Sequence, residues 1–111
     1  MRENKVFKIV VFVPETHADV VRQVIEEAGA GTIGNYSHCS FSIKGLGRFK
    51  PLAGAHPAVG EVGRLEEVKE ERIEFICPEN LVKKVTTAIR KVHPYEEVAL
   101  DIYPLVNSKN E

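Results

Sequence analysis

The sequence predicts an α+β fold in which four strands and two helices follow one another in the order β-α-β-β-α-β. Apolar residues alternate or form short runs in four segments, and they recur at three- and four-residue steps in two others. Glycine or proline ends each of these six segments. With 111 residues, the chain is long enough for one core and too short for two ordinary domains. We therefore expect one domain over residues 1–111, with a core from about 5 to 105 and a frayed tail at 106–111.

The first two elements are a buried strand and an amphipathic helix. The run "KVFKIVVFVPE" is rich in β-branched and aromatic residues and is interrupted at Pro14, which is typical of a strand buried on both faces. Between residues 15 and 28 the apolar positions fall on one helical stripe, with Thr16 as the expected N-cap. The glycines of "GAGTIG" are suited to the end of this helix.

The second strand is predicted from about Asn35 to Lys44, within the stretch "GNYSHCSFSIKG". Because successive side chains of a strand point to opposite faces, His38 and the adjacent Cys39 diverge and cannot chelate one ion together. We expect the more apolar set, which includes Phe41 and Ile43, to face the core, with Cys39 as a small buried hydrophobe. The opposite set consists of Tyr36, His38, Ser40 and Ser42.

The second half of the chain adds a strand, a helix and a strand after a glycine-rich region. Five of the eight glycines lie between residues 45 and 63, where we expect a hairpin turn at Gly45–Gly47 followed by a loop. The segments "ERIEFICP" and "EEVALDIYPL" predict the third and fourth strands. Between them, a second amphipathic helix opens at Glu79 or Asn80 and ends before Pro94. The expected core-facing residues of these two strands are Ile73, Phe75, Cys77, Val98, Leu100 and Ile102.

This order of elements predicts a ferredoxin-like fold, in which two helices cover one face of a four-stranded antiparallel sheet. Right-handed crossovers place the first and third strands in the centre of that sheet. The other face is left uncovered, and an apolar centre ringed by polar groups is typical of a subunit interface. The residues expected on the uncovered face are Tyr36, His38, Ser40, Glu74, Ile76, Asp101 and Tyr103.

Charge and composition exclude several kinds of partner. Fifteen basic and sixteen acidic residues nearly balance, and there is no tryptophan and no basic run, so we expect no nucleic-acid partner. No segment approaches the roughly twenty apolar residues that span a bilayer, so we expect no membrane partner. Two cysteines form neither a zinc motif nor a disulfide framework. They are compatible with a reducing compartment, and we expect a cytoplasmic protein.

Three long segments resemble a known family: "KIVVFVPETHADVVRQVIEEAGAGTIGNYSHCSFSIKG", "GAHPAVGEVGRLEEVKEERIEFICP" and "VHPYEEVALDIYPL". They are similar to the YqfO-type insert domain of the NGG-one-interacting-factor-three-like family. In that family the insert is a PII-like, CutA-like module inside a larger dinuclear-metal protein, and this chain resembles a stand-alone version of it. The resemblance implies a ferredoxin-like fold and a homo-oligomer, with a trimer favoured. It carries over no metal centre, because this sequence lacks the flanking segments that supply its ligands.

The stretch "HPYEE" at residues 93–97 concentrates an imidazole, a phenol and two carboxylates at a helix end. Nitrogen and oxygen ligands of this kind suit a divalent ion such as zinc or manganese. The predicted metal ligands are His38, His93, Glu96 and Glu97. His38 would come from another subunit, because it lies roughly 20 Å from the far end of its own strand. The alternative is structural, with the histidine contacting the last helix carbonyls and the next two residues shaping the turn.

The topology places "HPYEE" at one end of the fold with Glu15, His17 and the loop that bears His56. In that loop "GLGRFK" offers Arg48 and Lys50 to a phosphate, and a turn without a ligand is the alternative. The expected function is a binding or regulatory module, not an enzyme, whose ligand is a divalent metal ion or a small anion. An interaction module that docks on a larger protein is the first alternative, and a metal-dependent hydrolase is the second.

Overall fold

The computed structural model describes residues 5–106, and the ferredoxin-like α+β fold is confirmed. A 3-10 turn precedes each of the two helices. The predicted frayed tail at 106–111 lies outside the described residues except for Val106. The elements are β1 (Val6–Pro14), α1 (Ala18–Glu27), β2 (Phe41–Phe49), β3 (Glu66–Pro78), α2 (Val82–Val92) and β4 (Leu100–Pro104).

The four strands form one antiparallel sheet in the order β2-β3-β1-β4. The central positions of β1 and β3 are those expected from right-handed crossovers. As predicted, β1 is buried on both faces, because Ile9 lies under the helices while Val10 on the opposite face is also fully buried. Each helix packs one apolar stripe against the sheet, which removes that surface from water. The core under the helices includes Val21, Ile25, Ile73, Phe75, Val85 and Ile89.

The second strand lies later in the chain than its predicted position at Asn35–Lys44. It continues through Gly45 and Gly47 to Phe49, so the predicted hairpin turn at these glycines is wrong. A Cβ atom on Gly47 would collide with the carboxylate of Glu70, which lies directly over it. This glycine therefore permits a close side-chain approach to the strand instead of forming a turn.

The predicted orientation of the second strand is also wrong. Phe41 is opposite Glu74 and Ile43 is opposite Arg72, so both apolar side chains lie on the uncovered face of the sheet. They are 61% and 52% exposed, respectively. Alternation separates an apolar set from a polar set, but it does not tell which layer covers the apolar one. The uncovered face is therefore more apolar than the sequence analysis predicted.

The segment that precedes β2 is irregular, which corrects the predictions for His38 and Cys39. His38 has a φ of 62°, in the left-handed region, and lies outside the strands. The N–H of Cys39 donates to the carbonyl oxygen of Gly31 at 2.8 Å, and this close approach leaves no room for a side chain on Gly31. Cys39 is partly exposed, so its predicted burial is wrong, whereas the buried position of Cys77 is confirmed. Tyr36 and Ser40 also lie outside the strands.

The prediction for the start of α1 is wrong, whereas the inward orientation predicted for Ile102 in β4 is confirmed. Thr16 is not an N-cap, because α1 starts after His17 and no side chain caps it. The Thr16 hydroxyl instead lies 2.8 Å from His17 Nδ1. Ile102 pairs with Ile9 on the helix side of the sheet, but it is 42% exposed because its edge strand is less completely covered than β1.

The β2–β3 hairpin extends beyond the end of β1. Residues 70–78 of β3 pair with β1, whereas residues 66–74 pair with β2. The paired segments 46–49 and 66–69 therefore project from the sheet and contribute to the elongated shape of the molecule, 52 × 23 × 22 Å. This projecting end forms one wall of a cleft.

Candidate ligand-binding cleft

A cleft of about 570 Å³ opens where the projecting hairpin meets the end of the sheet. Its other walls are the start of the loop between β2 and β3, at residues 50–59, and the "HPYEE" segment between α2 and β4. Most of its lining is apolar, from Phe12, Phe49, Pro51, Leu52, Ala55, Pro57, Ala58, Val59, Tyr95 and Ala99. The charged residues in the lining are Arg48, Lys50, Glu70, Glu96 and Glu97.

His93 fixes the "HPYEE" segment to the sheet. α2 ends at Val92, and Pro94 accounts for this because the residue before a proline is pushed into the extended region, where His93 has φ −72° and ψ 134°. The buried imidazole donates from Nε2 to the Phe12 carbonyl at 2.7 Å, and its Nδ1 accepts from the Tyr95 N–H at 3.1 Å. Both ring nitrogens are therefore engaged within the chain. Burial lowers the pKa of His93, although the hydrogen bond to Phe12 opposes this shift.

Tyr95 connects this segment to Phe49 and Glu70 of the β2–β3 hairpin. Its ring meets the Phe49 ring edge to face, with 5.6 Å between centroids, and lies 5.1 Å from the His93 ring. Its hydroxyl donates to Glu70 Oε2 at 3.0 Å. Burial raises the pKa of Tyr95, and the hydrogen bond to Glu70 raises it further. The phenol is therefore a neutral donor at ordinary pH.

Glu70 is a buried carboxylate at the edge of the cleft, with only 8% of the residue exposed. Among residues 5–106, no lysine, arginine or histidine forms an ion pair with it. Its one side-chain partner in this part of the chain is the hydroxyl of Tyr95. The carboxylate fits here because Gly47 beneath it has no side chain.

A backbone N–H of the loop donates to a side chain of the "HPYEE" segment. The N–H of His56 donates to Glu96 Oε1 at 2.7 Å, which joins the loop to the opposite wall of the cleft. Within the loop, the N–H of Gly63 donates to the carbonyl of Pro51 at 2.7 Å. The loop that bears His56 and the "HPYEE" stretch thus lie together, as the topology predicted.

The four predicted metal ligands are divided between two places. Glu96 and Glu97 line the cleft, and His93 lies behind Tyr95. His38 is exposed near the C-terminal end of α1, with its Nε2 atom 3.7 Å from Glu26 Oε1. In the part of the chain that the structure describes, no three His, Cys, Asp or Glu side chains are grouped to hold a metal ion. A site completed by a second subunit stays a prediction.

The cleft residues that sequence reasoning missed include Phe12, Gly47, Phe49 and Glu70. The available signal was the pair of glycines within a run that also contains strand-forming residues, opposite the charged segment "EEVKEER". Arg48 and Lys50, considered as phosphate partners, do line the cleft. The guanidinium of Arg48 lies 3.6 Å from Glu67, so part of its charge is already compensated.

Curated relatives match nearly the whole chain. Proteins named "GTP cyclohydrolase 1 type 2 homolog" from Halalkalibacterium halodurans and Bacillus subtilis are 54% and 52% identical to it over 104 residues, or 94% of this chain. The crystal structure of a Bacillus cereus protein related to NIF3 superposes on 96% of the chain with a TM-score of 0.84 and 51% identity. The chain is a homologue of one segment of the NIF3-related proteins. The resemblance to the NGG-one-interacting-factor-three-like family is thereby confirmed.

The homologous segment is a minor part of the NIF3-related proteins, since the chain spans 28% of the length of both curated relatives and 27% of the Bacillus cereus structure. No family model matches the chain. The periplasmic divalent cation tolerance protein CutA of Archaeoglobus fulgidus shares the fold, with a TM-score of 0.68, 13% identity and coverage of 93% of this chain and 86% of its own. Within the described residues, no helix is long and apolar enough to cross a membrane.

Proposed function

We propose that this chain is a homo-oligomeric regulatory or binding module of the cytoplasm, and that its ligand site is the cleft beside Tyr95. One observation carries the proposal: an apolar cleft of about 570 Å³ with the buried carboxylate of Glu70, hydrogen-bonded by the half-buried Tyr95, at its edge. Small-molecule sites are usually concave and mostly apolar, with a few fixed polar groups that orient the ligand. A single domain over residues 1–111 is part of this proposal.

The uncovered sheet face supports self-association. Phe41 and Ile43 are more than half exposed there, and Tyr103 on the same face is 45% exposed. Exposed apolar side chains on an uncovered sheet face favour a contact with another protein. A second copy of this chain is the occupant we propose, with a trimer as the expected state on the resemblance described above.

A screen by thermal unfolding tests the ligand site. The probes are small compounds in four matched groups: ammonium, carboxylate, phosphate and neutral compounds of similar size. A ligand of the folded state raises the Tm according to its affinity and concentration. We expect at least one group to do so, and we expect Phe49→Ala to abolish the effect while Thr87→Ala, on the exposed side of α2, preserves it. If no group raises the Tm, or if Phe49→Ala responds like the parent, the cleft is not a ligand site.

A docking module is the second candidate function. The relatives carry the homologous segment within proteins about three and a half times as long, which supports a contact between this module and a larger partner. The uncovered face would then be occupied by that partner. Light scattering separates the two candidates, because a monomer at micromolar concentration would leave the face free for a different protein.

The predicted metal site requires a separate test. Within one chain both nitrogens of His93 already have partners, so a metal ion would have to displace one of them or rely on the two glutamates. Calorimetric titration of the assembled protein with zinc would test the predicted ligands. Uptake that is abolished by His38→Ala, without loss of assembly, would support the site. The absence of uptake would remove it.

A further inference from the structure

We infer that the cleft takes a small organic cation, whose ammonium or guanidinium group is held by Glu70 and whose apolar body lies against Phe49 and Tyr95. This inference rests on the proposed function, because it names the class of ligand that the cleft binds. Neither the metal ion nor the anion considered from the sequence has this chemistry.

The carboxylate of Glu70 is incompletely paired. The residue is 8% exposed and receives a hydrogen bond at Oε2 from a neutral phenol. No described side chain or backbone group donates to Oε1, and no fully enclosed side-chain oxygen or nitrogen in residues 5–106 lacks a partner. Oε1 is therefore not fully enclosed, and Glu70 lines the cleft. A buried carboxylate that lacks a cation is costly, and a cationic ligand would supply the missing charge.

Two neighbouring arginines are engaged elsewhere, and Lys50, which also lines the cleft, forms no ion pair with Glu70 within the described residues. Arg72, two residues along the same strand, donates to Glu74 at 2.9 Å, and its guanidinium lies 5.7 Å from the centre of the Phe12 ring. Arg48 faces Glu67 at 3.6 Å. Neither guanidinium forms an ion pair with Glu70 within the described residues.

The walls of the cleft combine aromatic rings with acidic side chains. Phe49 and Tyr95 present aromatic surface next to the carboxylate, and aromatic faces attract cations, most strongly where water is excluded. Two further carboxylates, of Glu96 and Glu97, lie in the same lining. Against Arg48 and Lys50, these three carboxylates leave the lining with a net negative charge, which disfavours an anion, and a hydrated metal ion would meet mainly apolar surface. An organic cation with an apolar body satisfies both the carboxylate and the rings.

Three isosteric probes test this inference by calorimetry: benzylamine as the cation at pH 7, benzyl alcohol as the neutral analogue and benzoate as the anion. We expect benzylamine to bind at least tenfold more tightly than the other two. Glu70→Gln should weaken benzylamine tenfold or more, because a hydrogen bond between charged groups is replaced by a weaker one. The Gln side chain fits the same space and still accepts from Tyr95. Glu79→Gln, in the exposed turn that follows the same strand and outside the cleft lining, is the matched control and should change the affinity less than twofold.

Several outcomes overturn the inference. Equal or tighter binding of benzoate or benzyl alcohol would leave the ligand site of the proposed function in place but reject its cationic ligand. Unchanged benzylamine affinity in Glu70→Gln would reject the role of the carboxylate. If Glu70→Gln does not fold, Phe49→Leu provides the second variant, because it keeps apolar volume and removes the ring. Phe49→Leu should weaken the binding of benzylamine more than that of benzyl alcohol. An equal effect on both affinities would contradict the role of the aromatic rings in binding the cation.

Discussion

At the scale of single residues, the cleft depends on side chains that allow or prevent close approach. Gly47 is the clearest case, because the Glu70 carboxylate occupies the space that any other residue would fill. The hydrogen bond from Tyr95 then keeps that carboxylate at the edge of the cleft. A glycine and a glutamate from neighbouring strands thus act as one unit.

Replacing Gly47 with alanine tests that unit. The new methyl group would push the Glu70 carboxylate away from Tyr95, so we expect a loss of about 1 to 3 kcal/mol in the free energy of unfolding, as in other overpacked sites. Gly45→Ala is the matched control in the same strand, since a Cβ atom there meets nothing within 4 Å. Its effect should stay within about 0.5 kcal/mol. Equal effects of the two substitutions, measured by denaturant unfolding, would contradict the packing described.

His93 predicts a dependence of stability on pH. Burial lowers its pKa in the folded protein, so between this value and about 6.5 the unfolded chain binds more protons than the native one. The contribution of His93 to stability is complete above about pH 6.5 and is lost as the pH falls through the folded pKa. We expect the free energy of unfolding to decrease from pH 7 to 5.5, and to decrease less steeply in His93→Gln. Parallel pH profiles for parent and variant would exclude the assignment.

At the scale of elements, local patterning predicted where strands and helices occur better than it predicted which neighbouring elements cover them. The apolar stripes of α1 and α2 and the continuous apolar run of β1 specified a helix or a buried strand directly. The alternation of β2 is ambiguous, because Phe41 and Ile43 lie on a sheet face that remains uncovered within one chain. "HPYEE" was recognised from its local chemistry. Glu70 and Gly47 were missed because their contact depends on strand register, which no single segment encodes.

The two cysteines now have different predicted reactivities. Cys77 is fully buried in β3, and burial raises its pKa to about 11, so its thiolate is scarce at neutral pH. Cys39 lies before β2 and is partly exposed. We expect the Cys39 thiol of the native protein to react with a disulfide reagent within minutes and the Cys77 thiol to react only in denaturant. Cys39→Ser should remove the fast reaction; a fast reaction that persists in this variant would show that β3 is not packed as described.

At the scale of the whole molecule, the two proposed binding surfaces are the uncovered sheet face and the cleft at the projecting end of the hairpin. The face carries exposed apolar side chains that one chain alone does not cover. The cleft opens on Phe12, which lies on the same side of β1 as Val10 and pairs with Arg72 of the uncovered face. Assembly through the face would therefore occur beside the ligand site.

A charge in the centre of the face should weaken assembly. Ile43→Lys would bury an unpaired ammonium at the contact, which costs on the order of 3 kcal/mol, or about 100-fold in the dissociation constant. Light scattering over a dilution series should give a mass above one chain for the parent and a lower mass for the variant at the same concentration. Thr87→Lys adds the same charge to the exposed side of α2 and should assemble like the parent. A parent that is already monomeric would refute self-association.

The most direct test of the central claim, that the cleft is the ligand site, is the mapping of amide chemical shifts during a titration of ¹⁵N-labelled protein with benzylamine. The account predicts that the largest shifts occur at Gly47, Glu70 and Tyr95 and in the loop at residues 50–59. These positions surround the cleft on all of its walls. Shifts that are instead concentrated on the lysine-rich surface of α2, at Lys83, Lys84 and Lys91, would contradict it.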